Sequence, residues 1–156
     1  MLVRCSTDAA VAITTAHTSL KTILQVAMAS GRQGRLLAWG VSGYGVDAAA
    51  FPQDVHLLRQ TDAGTTPGGD GLEVVWDGED GGTISAVAKQ GIYSAEPSSG
   101  AILDRVWVPT RGAGIRVYFA PGREIIIPAA GRIAIATISN ASSETWNAQA
   151  WMLIDE

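Results

Sequence analysis

The sequence has little of the material from which catalytic and metal sites are built. Its 156 residues include one cysteine and two histidines. Cys5 has no partner for an internal disulfide and no nearby histidine to activate it, so it is predicted to be an inert thiol. His17 and His56 have no cysteine or carboxylate beside them at metal-ligand spacing, which argues against a zinc site. No Gly-x-Ser-x-Gly nucleophile motif is present. We therefore expect a protein that is not an enzyme and that has no cofactor and no metal.

Clustered positive charge and long apolar runs are also missing. The 11 Lys+Arg and 15 Asp+Glu give a net charge of −4, and no basic stripe is available to neutralise phosphates, so nucleic acid is not an expected partner. The longest apolar stretch, residues 125–130, is broken by Pro128 and is far shorter than the roughly 20 residues of a membrane span. The N-terminus has no continuous apolar segment typical of a signal peptide. We expect no membrane partner, and we expect synthesis in a cytoplasm.

The main pattern in the sequence is an apolar–polar alternation of period two, which is typical of strands. The predicted strands are 22–28, 35–41, 54–60, 102–108, 115–119, 124–127, 132–138 and 146–154, with a possible short strand at 72–76 and either a strand or a helical turn within 83–90. No stretch of helical period is long enough to connect parallel strands. This pattern predicts an all-β fold, an antiparallel β-sandwich or jelly roll of eight or nine short strands. Residues 19–156 would form one domain, and residues 1–18 an N-terminal arm or a first edge strand.

Glycine marks the breaks between these strands, with 18 glycines in the chain. The segments 61–71 (TDAGTTPGGDG) and 77–82 (DGEDGG) are predicted surface loops. The second loop brings three carboxylates together, but their spacing is not that of a calcium-binding EF-hand, so a solvated acidic loop is the preferred interpretation. The glycines at 43–48 fit a loose dinucleotide fingerprint, which Pro52 excludes because the required helix cannot follow.

Aromatic residues are the feature that needs an explanation, because five tryptophans are more than a core of this size requires. Trp39 and Trp107 lie inside predicted strands and are expected to be core anchors. Trp146 and Trp151 are separated by an odd number of positions, so on one strand they point to opposite faces and at most one faces the core.

The outward residues predict an interface. Arg116 and Tyr118 alternate with apolar neighbours and are expected to point outward. His56 is expected to point outward or toward a neighbouring subunit. Large amphipathic rings and arginines are enriched at protein–protein contacts. The candidate interface therefore consists of Arg116, Tyr118, Trp146 and Trp151.

Two segments resemble small head proteins of tailed bacteriophages. They are ILQVAMASGRQGRLLAWGVSGYGVDAAAFPQDVHLLRQTDAGT (23–65) and PGREIIIPAAGRIAIATIS (121–139), in which turns, short apolar strands and prolines follow one another. The resemblance is to decoration or cement proteins, and residues 66–100 depart from that pattern through their two acidic glycine loops.

The resemblance implies a β-sandwich that binds the outside of the assembled capsid and stabilises it. The expected partner is the major capsid protein, the expected assembly is a homotrimer, and the expected location is the exterior of the virion capsid. A lectin-like carbohydrate-binding module, with an exposed tryptophan stacked on a sugar and calcium in the acidic loops, is the alternative.

Overall fold

The chain forms thirteen strands and no helix in the part that the structure describes. The structure is a computed structural model that describes residues 1–14, 17–45, 52–65, 67–76, 82–91, 93–109, 114–139 and 145–156. The strands are β1 (Leu2–Ser6), β2 (Val11–Thr14), β3 (His17–Met28), β4 (Gly34–Gly45), β5 (Gln53–Gln60), β6 (Gly69–Asp70), β7 (Leu72–Val75), β8 (Ala86–Gln90), β9 (Ser99–Val108), β10 (Gly114–Tyr118), β11 (Ile125–Ile127), β12 (Arg132–Ser139) and β13 (Thr145–Asp155). The all-β prediction is confirmed, although the strand count is higher than the eight or nine expected. No helix that could cross a membrane is found among the described residues.

The strands form two antiparallel sheets, as predicted. Sheet A has the order β10-β4-β13-β1-β7, with β11 also paired to β4 and β2 to β13. Sheet B has the order β6-β8-β3-β12-β5-β9. Because successive side chains on a strand alternate between its faces, each sheet contributes every second residue to the space between the sheets.

That space holds one continuous apolar core built from both sheets. Trp39 of β4 is fully buried there, which confirms its predicted role as an anchor. Its indole N–H donates a hydrogen bond of 3.3 Å to Asp104 Oδ2 on β9. A buried ring from sheet A is thus tied to the edge strand of sheet B, and its polar atom is satisfied.

The N-terminal residues belong to this core, which corrects the expectation of an arm. Strand β1 lies between β13 and β7 and pairs with both. Val3 and Cys5 are fully buried between the sheets. Burial, with smaller contributions from Glu73 and Glu156, raises the pKa of the Cys5 thiol to about 12, in agreement with the inert thiol predicted.

Register shifts alter the simple alternation at several points. The register of β12 against β3 shifts between Ile135 and Ala136, so Ile23 turns to the core together with Leu24. The pairing of β9 with β5 shifts on both sides of Leu58. Bulges bend a strand and increase its twist, and the shifts beside Leu58 place this effect on β9, at the edge of sheet B.

Candidate functional site

The outer face of sheet A carries an unusual number of exposed apolar side chains. Among the described residues, eight large apolar side chains are strongly exposed, and five of these lie on this face: Leu72, Val74, Trp76, Tyr118 and Ile126. Trp76 is 57% exposed and Tyr118 is 66% exposed. Contiguous apolar surface of this kind marks binding sites more often than scattered single residues do.

Arg4 stands between two tryptophans at the β7 side of this face. Its guanidinium carbon lies 5.4 Å from the ring centroid of Trp76 and 5.7 Å from that of Trp151. Strand β1 places Arg4 there, because the arginine alternates with the buried Val3 and Cys5. Cation–π contacts at this distance contribute about 0.5–2 kcal/mol each, more when water is excluded.

The row continues across β13 to β10. The rings of Trp151 and Tyr118 are 6.5 Å apart at an interplanar angle of 54°, an aromatic pair geometry that is favourable. Strand β4 runs between them and presents Ala38 and Gly40, which face Tyr118 and Arg116 across the pairing. Small residues on the central strand therefore form a floor on which the larger rings lie.

These residues line a groove. A cavity of about 260 Å³ is bordered by Arg4, Trp76, Arg116, Tyr118, Trp151 and Leu153, and we refer to it as the aromatic groove. A more polar cavity of about 460 Å³ continues from it past Trp151, lined in part by Ser6, Ser42 and Gln149. The groove is thus apolar at the Trp76 end and polar at the other.

The two arginines give the aromatic groove a positive charge. Neither Arg4 nor Arg116 forms an ion pair with another residue of the described ranges. The Nε of Arg4 is buried and has no hydrogen-bond partner in that part of the chain. Unpaired arginine donors are uncommon in a buried setting, and here they occur in a chain whose net charge is −4.

The structure separates the four residues of the predicted interface. Arg116 and Tyr118 are exposed on sheet A, which confirms their outward direction, and Trp151 joins them. Trp146 is only 2% exposed and belongs to the core, so it cannot be part of this surface. The prediction that the two β13 tryptophans point to opposite faces is confirmed, and Trp146 is the inward one.

Trp107 is a second correction. It was expected in the core, but it is 52% exposed on the outer face of sheet B. The neighbouring Val106 and Val108 take the inward positions of β9, which leaves the intervening tryptophan outside. The position of a residue inside a strand does not by itself show whether the odd-numbered or the even-numbered side chains of that strand face the core.

Arg4 and Trp76 are functional candidates that the sequence reasoning missed. Trp76 follows Leu72 and Val74 at a spacing of two, a signal that all three share one face. Arg4 alternates with Val3 and Cys5 in the same way. The sequence alone predicts only a possible strand at 72–76 and an arm or a first edge strand at 1–18, so it does not bring these two residues together.

A separate polar cluster occupies the outer face of sheet B. His56 was expected to point outward; it does lie on the outer face, but it is buried, with 5% exposure. Its Nε2 lies 3.0 Å from Asp54 Oδ1. Arg105 of β9 donates from Nε to Asp54 Oδ1 at 2.8 Å and from Nη2 to Asp54 Oδ2 at 2.5 Å, and its guanidinium carbon lies 5.5 Å from the Trp107 ring centroid.

The cluster is held together by charge. Burial raises the pKa of Asp54, but the hydrogen bonds from Arg105 and His56 outweigh it and leave that pKa below its usual range. The same carboxylate raises the pKa of Arg105. Asp54 is therefore an ionised group with its oxygens occupied by protein donors, an arrangement suited to holding β5 and β9 together.

The described residues contain no group of three or more His, Cys, Asp or Glu that could hold a metal ion. The carboxylates of the 61–71 loop have protein partners: Asp62 accepts hydrogen bonds from the backbone N–H of Gly64 and of Ser98, and Asp70 pairs with Lys89. Of the acidic loop at 77–82, residues 77–81 lie outside the described ranges, and so do residues 46–48 of the loose dinucleotide fingerprint.

Comparisons with known proteins do not place the chain in a family. No protein-family model, no curated protein and no solved structure matches the chain.

Proposed function

We propose that the chain is a capsid decoration protein, a β-sandwich that binds the outer surface of an assembled viral head and stabilises it. Its partner is the major capsid protein, and it assembles as a homotrimer on the exterior of the virion. The resemblance of residues 23–65 and 121–139 to phage head proteins supports this proposal. The fold is compatible with it, since a protein that stabilises a shell by binding the assembled form needs no active site.

The aromatic groove is the observation that carries the proposal. Tryptophan, tyrosine and arginine are the residue types that dominate binding energy at protein interfaces. Here they form one row across sheet A, from Trp76 through Arg4 and Trp151 to Tyr118. A row of rings supported by a rigid sheet binds a partner with little loss of side-chain entropy.

A carbohydrate-binding function is the second candidate, and one observation favours it. Trp76 is largely exposed beside a groove, and an exposed indole is a suitable stacking surface for a sugar ring. The calcium that this alternative expects in the acidic loops finds no free carboxylate in Asp62 or Asp70, both of which have protein partners.

Co-sedimentation with undecorated heads of the encoding virus tests the proposed function. We expect the wild-type protein to pellet with the heads in saturable amounts, and light scattering to give a mass near three times 16.3 kDa. Trp76→Ala and Tyr118→Ala should each weaken head binding by about tenfold or more, as hot-spot truncations do.

Trp107→Ala is the matched control, because Trp107 is as exposed as Trp76 but lies on the other sheet. It should leave head binding unchanged. Wild-type protein that stays in the supernatant at every head concentration would reject the decoration function. Binding that is saturated by neutral oligosaccharides instead of heads would support the carbohydrate-binding alternative.

A further inference from the structure

We propose that the aromatic groove recognises a carboxylate side chain, an aspartate or glutamate that lies next to an apolar side chain in an extended segment of the partner protein. The inference rests on the proposed function in taking the partner to be a protein. It adds the chemistry of the segment that is bound and assigns Arg4 as the residue that binds the carboxylate.

The geometry of Arg4 is the first step of the argument. Trp76 and Trp151 each have their ring centroid within 6 Å of its guanidinium carbon, so the guanidinium lies between two aromatic rings. Its Nε is buried and has no hydrogen-bond partner among the described residues. The two terminal nitrogens of an arginine match the two oxygens of a carboxylate.

Charge is the second step. Arg116 lies on the other side of Trp151 and lines both cavities of this face together with Arg4. Neither arginine forms an ion pair within the described ranges, although the chain has a net charge of −4. The positive charge at this place is complementary to an anion. A neutral sugar would leave both positive charges without a counter-charge, and a nucleic acid needs a longer row of cations than two.

The size and lining of the groove are the third step. A cavity of about 260 Å³ accommodates one or two side chains and not a folded surface. Trp76 and Leu153 offer apolar contact directly beside the arginine. The occupant that fits is a carboxylate with an apolar neighbour, presented by an extended chain.

The five tryptophans provide a direct readout. We would titrate ¹⁵N-labelled protein with N-acetyl-Phe-Asp-amide and with N-acetyl-Phe-Asn-amide, and follow the indole N–H signals, assigned through Trp76→Phe and Trp151→Phe. We expect the signals of Trp76 and Trp151 to shift saturably with the aspartyl peptide. The asparaginyl peptide should bind about tenfold more weakly, because the charged hydrogen bonds are lost.

The remaining tryptophans serve as internal controls. Trp39 and Trp146 are buried and Trp107 lies on the opposite sheet, so their signals should stay in place. Arg4→Gln should weaken the binding of the aspartyl peptide by about tenfold. Arg4→Lys should restore part of that affinity, because lysine keeps the positive charge but lacks the planar donors. Arg123→Gln, an exposed arginine outside the groove, should change nothing.

Equal shifts with both peptides, or shifts produced by neutral oligosaccharides and not by the aspartyl peptide, would overturn the carboxylate inference. The two proposals fail in different ways. If heads bind the wild-type protein and the Arg4→Gln, Arg116→Gln double variant equally well, the decoration function is supported and the carboxylate inference is rejected. If the aspartyl peptide binds but heads do not, recognition of a carboxylate by the aromatic groove is supported and the capsid is rejected as the partner.

Discussion

The indole of Trp151 occupies the space beside Gly40 of the adjacent strand that a side chain at position 40 would need. A Cβ built at position 40 would stand 2.6 Å from Cε2 and Nε1 of the ring and 2.8 Å from the carbonyl oxygen of Ile115. The two residues are directly paired between β13 and β4. The absence of a side chain at position 40 is therefore what allows the ring to lie along the sheet between Arg4 and Tyr118.

Gly40→Ala should destabilise the protein and disturb the aromatic groove. The new methyl group meets a ring and a backbone oxygen, and overpacking of this kind costs about 1–3 kcal/mol. Urea unfolding followed by tryptophan fluorescence measures the cost. Gly69→Ala is the matched control, because a Cβ there meets nothing closer than 3.5 Å. Equal unfolding midpoints for the two variants would show that Trp151 does not depend on Gly40.

Arg105→Gln should weaken the attachment of β9 to β5. The substitution leaves the buried carboxylate of Asp54 with His56 alone, and we expect a lower free energy of unfolding, with a smaller loss than for a fully buried pair because Arg105 is 54% exposed. Chemical denaturation at pH 7 measures it, with Arg123→Gln as an exposed control. A change of less than a few tenths of a kcal/mol would mean that the ion pair contributes only surface electrostatics.

Acid stability should depend on the same carboxylate. The pKa of Asp54 is lowered in the folded protein, so its contribution is complete above the ordinary aspartate value of about 3.9 and is lost as the pH falls through the folded pKa. Asp54→Asn should flatten the decrease in unfolding free energy below pH 4. The unfolding free energies of wild type and variant, measured from pH 2 to pH 6, would run parallel if Asp54 had no part in acid unfolding.

The thiol of Cys5 should resist modification in the native protein. It is fully buried and its pKa is raised to about 12, so at pH 8 almost no thiolate forms and reagents have no access. A disulfide-exchange reagent should label it only after the addition of denaturant. Rapid labelling of the folded protein would indicate that β1 opens locally, with Cys5→Ala reporting the background.

Removal of residues 1–6 should unfold the sandwich. The deletion takes away the strand between β13 and β7 together with two buried side chains, Val3 and Cys5. Circular dichroism and size exclusion should show loss of native structure or aggregation. Arg4→Ala, which alters only the outer face of the same strand, should remain folded. A folded deletion variant would restore the interpretation of this segment as an arm.

Local pattern was sufficient for the fold class and for most strands. The alternation within residues 22–28 and 132–138 predicted most of β3 and β12, because this signal acts within one strand. The pattern at β1 was equally regular. It was misassigned because its partners, β7 and β13, are distant in sequence and pairing across such distances leaves no local signal.

The groove could be predicted only in part. The even spacing of Arg116 and Tyr118 placed both on one face of their strand. The odd spacing of Trp146 and Trp151 showed that they point to opposite faces of theirs. It could not say which of the two is outward, since that depends on the register against β4. Arg4 meets Trp76 and Trp151 only because three separate strands are neighbours in sheet A, and this order is a property of the tertiary structure.

The double shift in the pairing of β9 with β5 also affects how copies of this protein behave at high concentration. An open edge of ten residues is long enough to template an added strand and begin uncontrolled polymerisation. The bulges beside Leu58 bend that edge, and Arg105 adds a charge to it, so a second straight strand finds few N–H and C=O groups in register. Uncontrolled edge-to-edge pairing through β9 is thereby disfavoured.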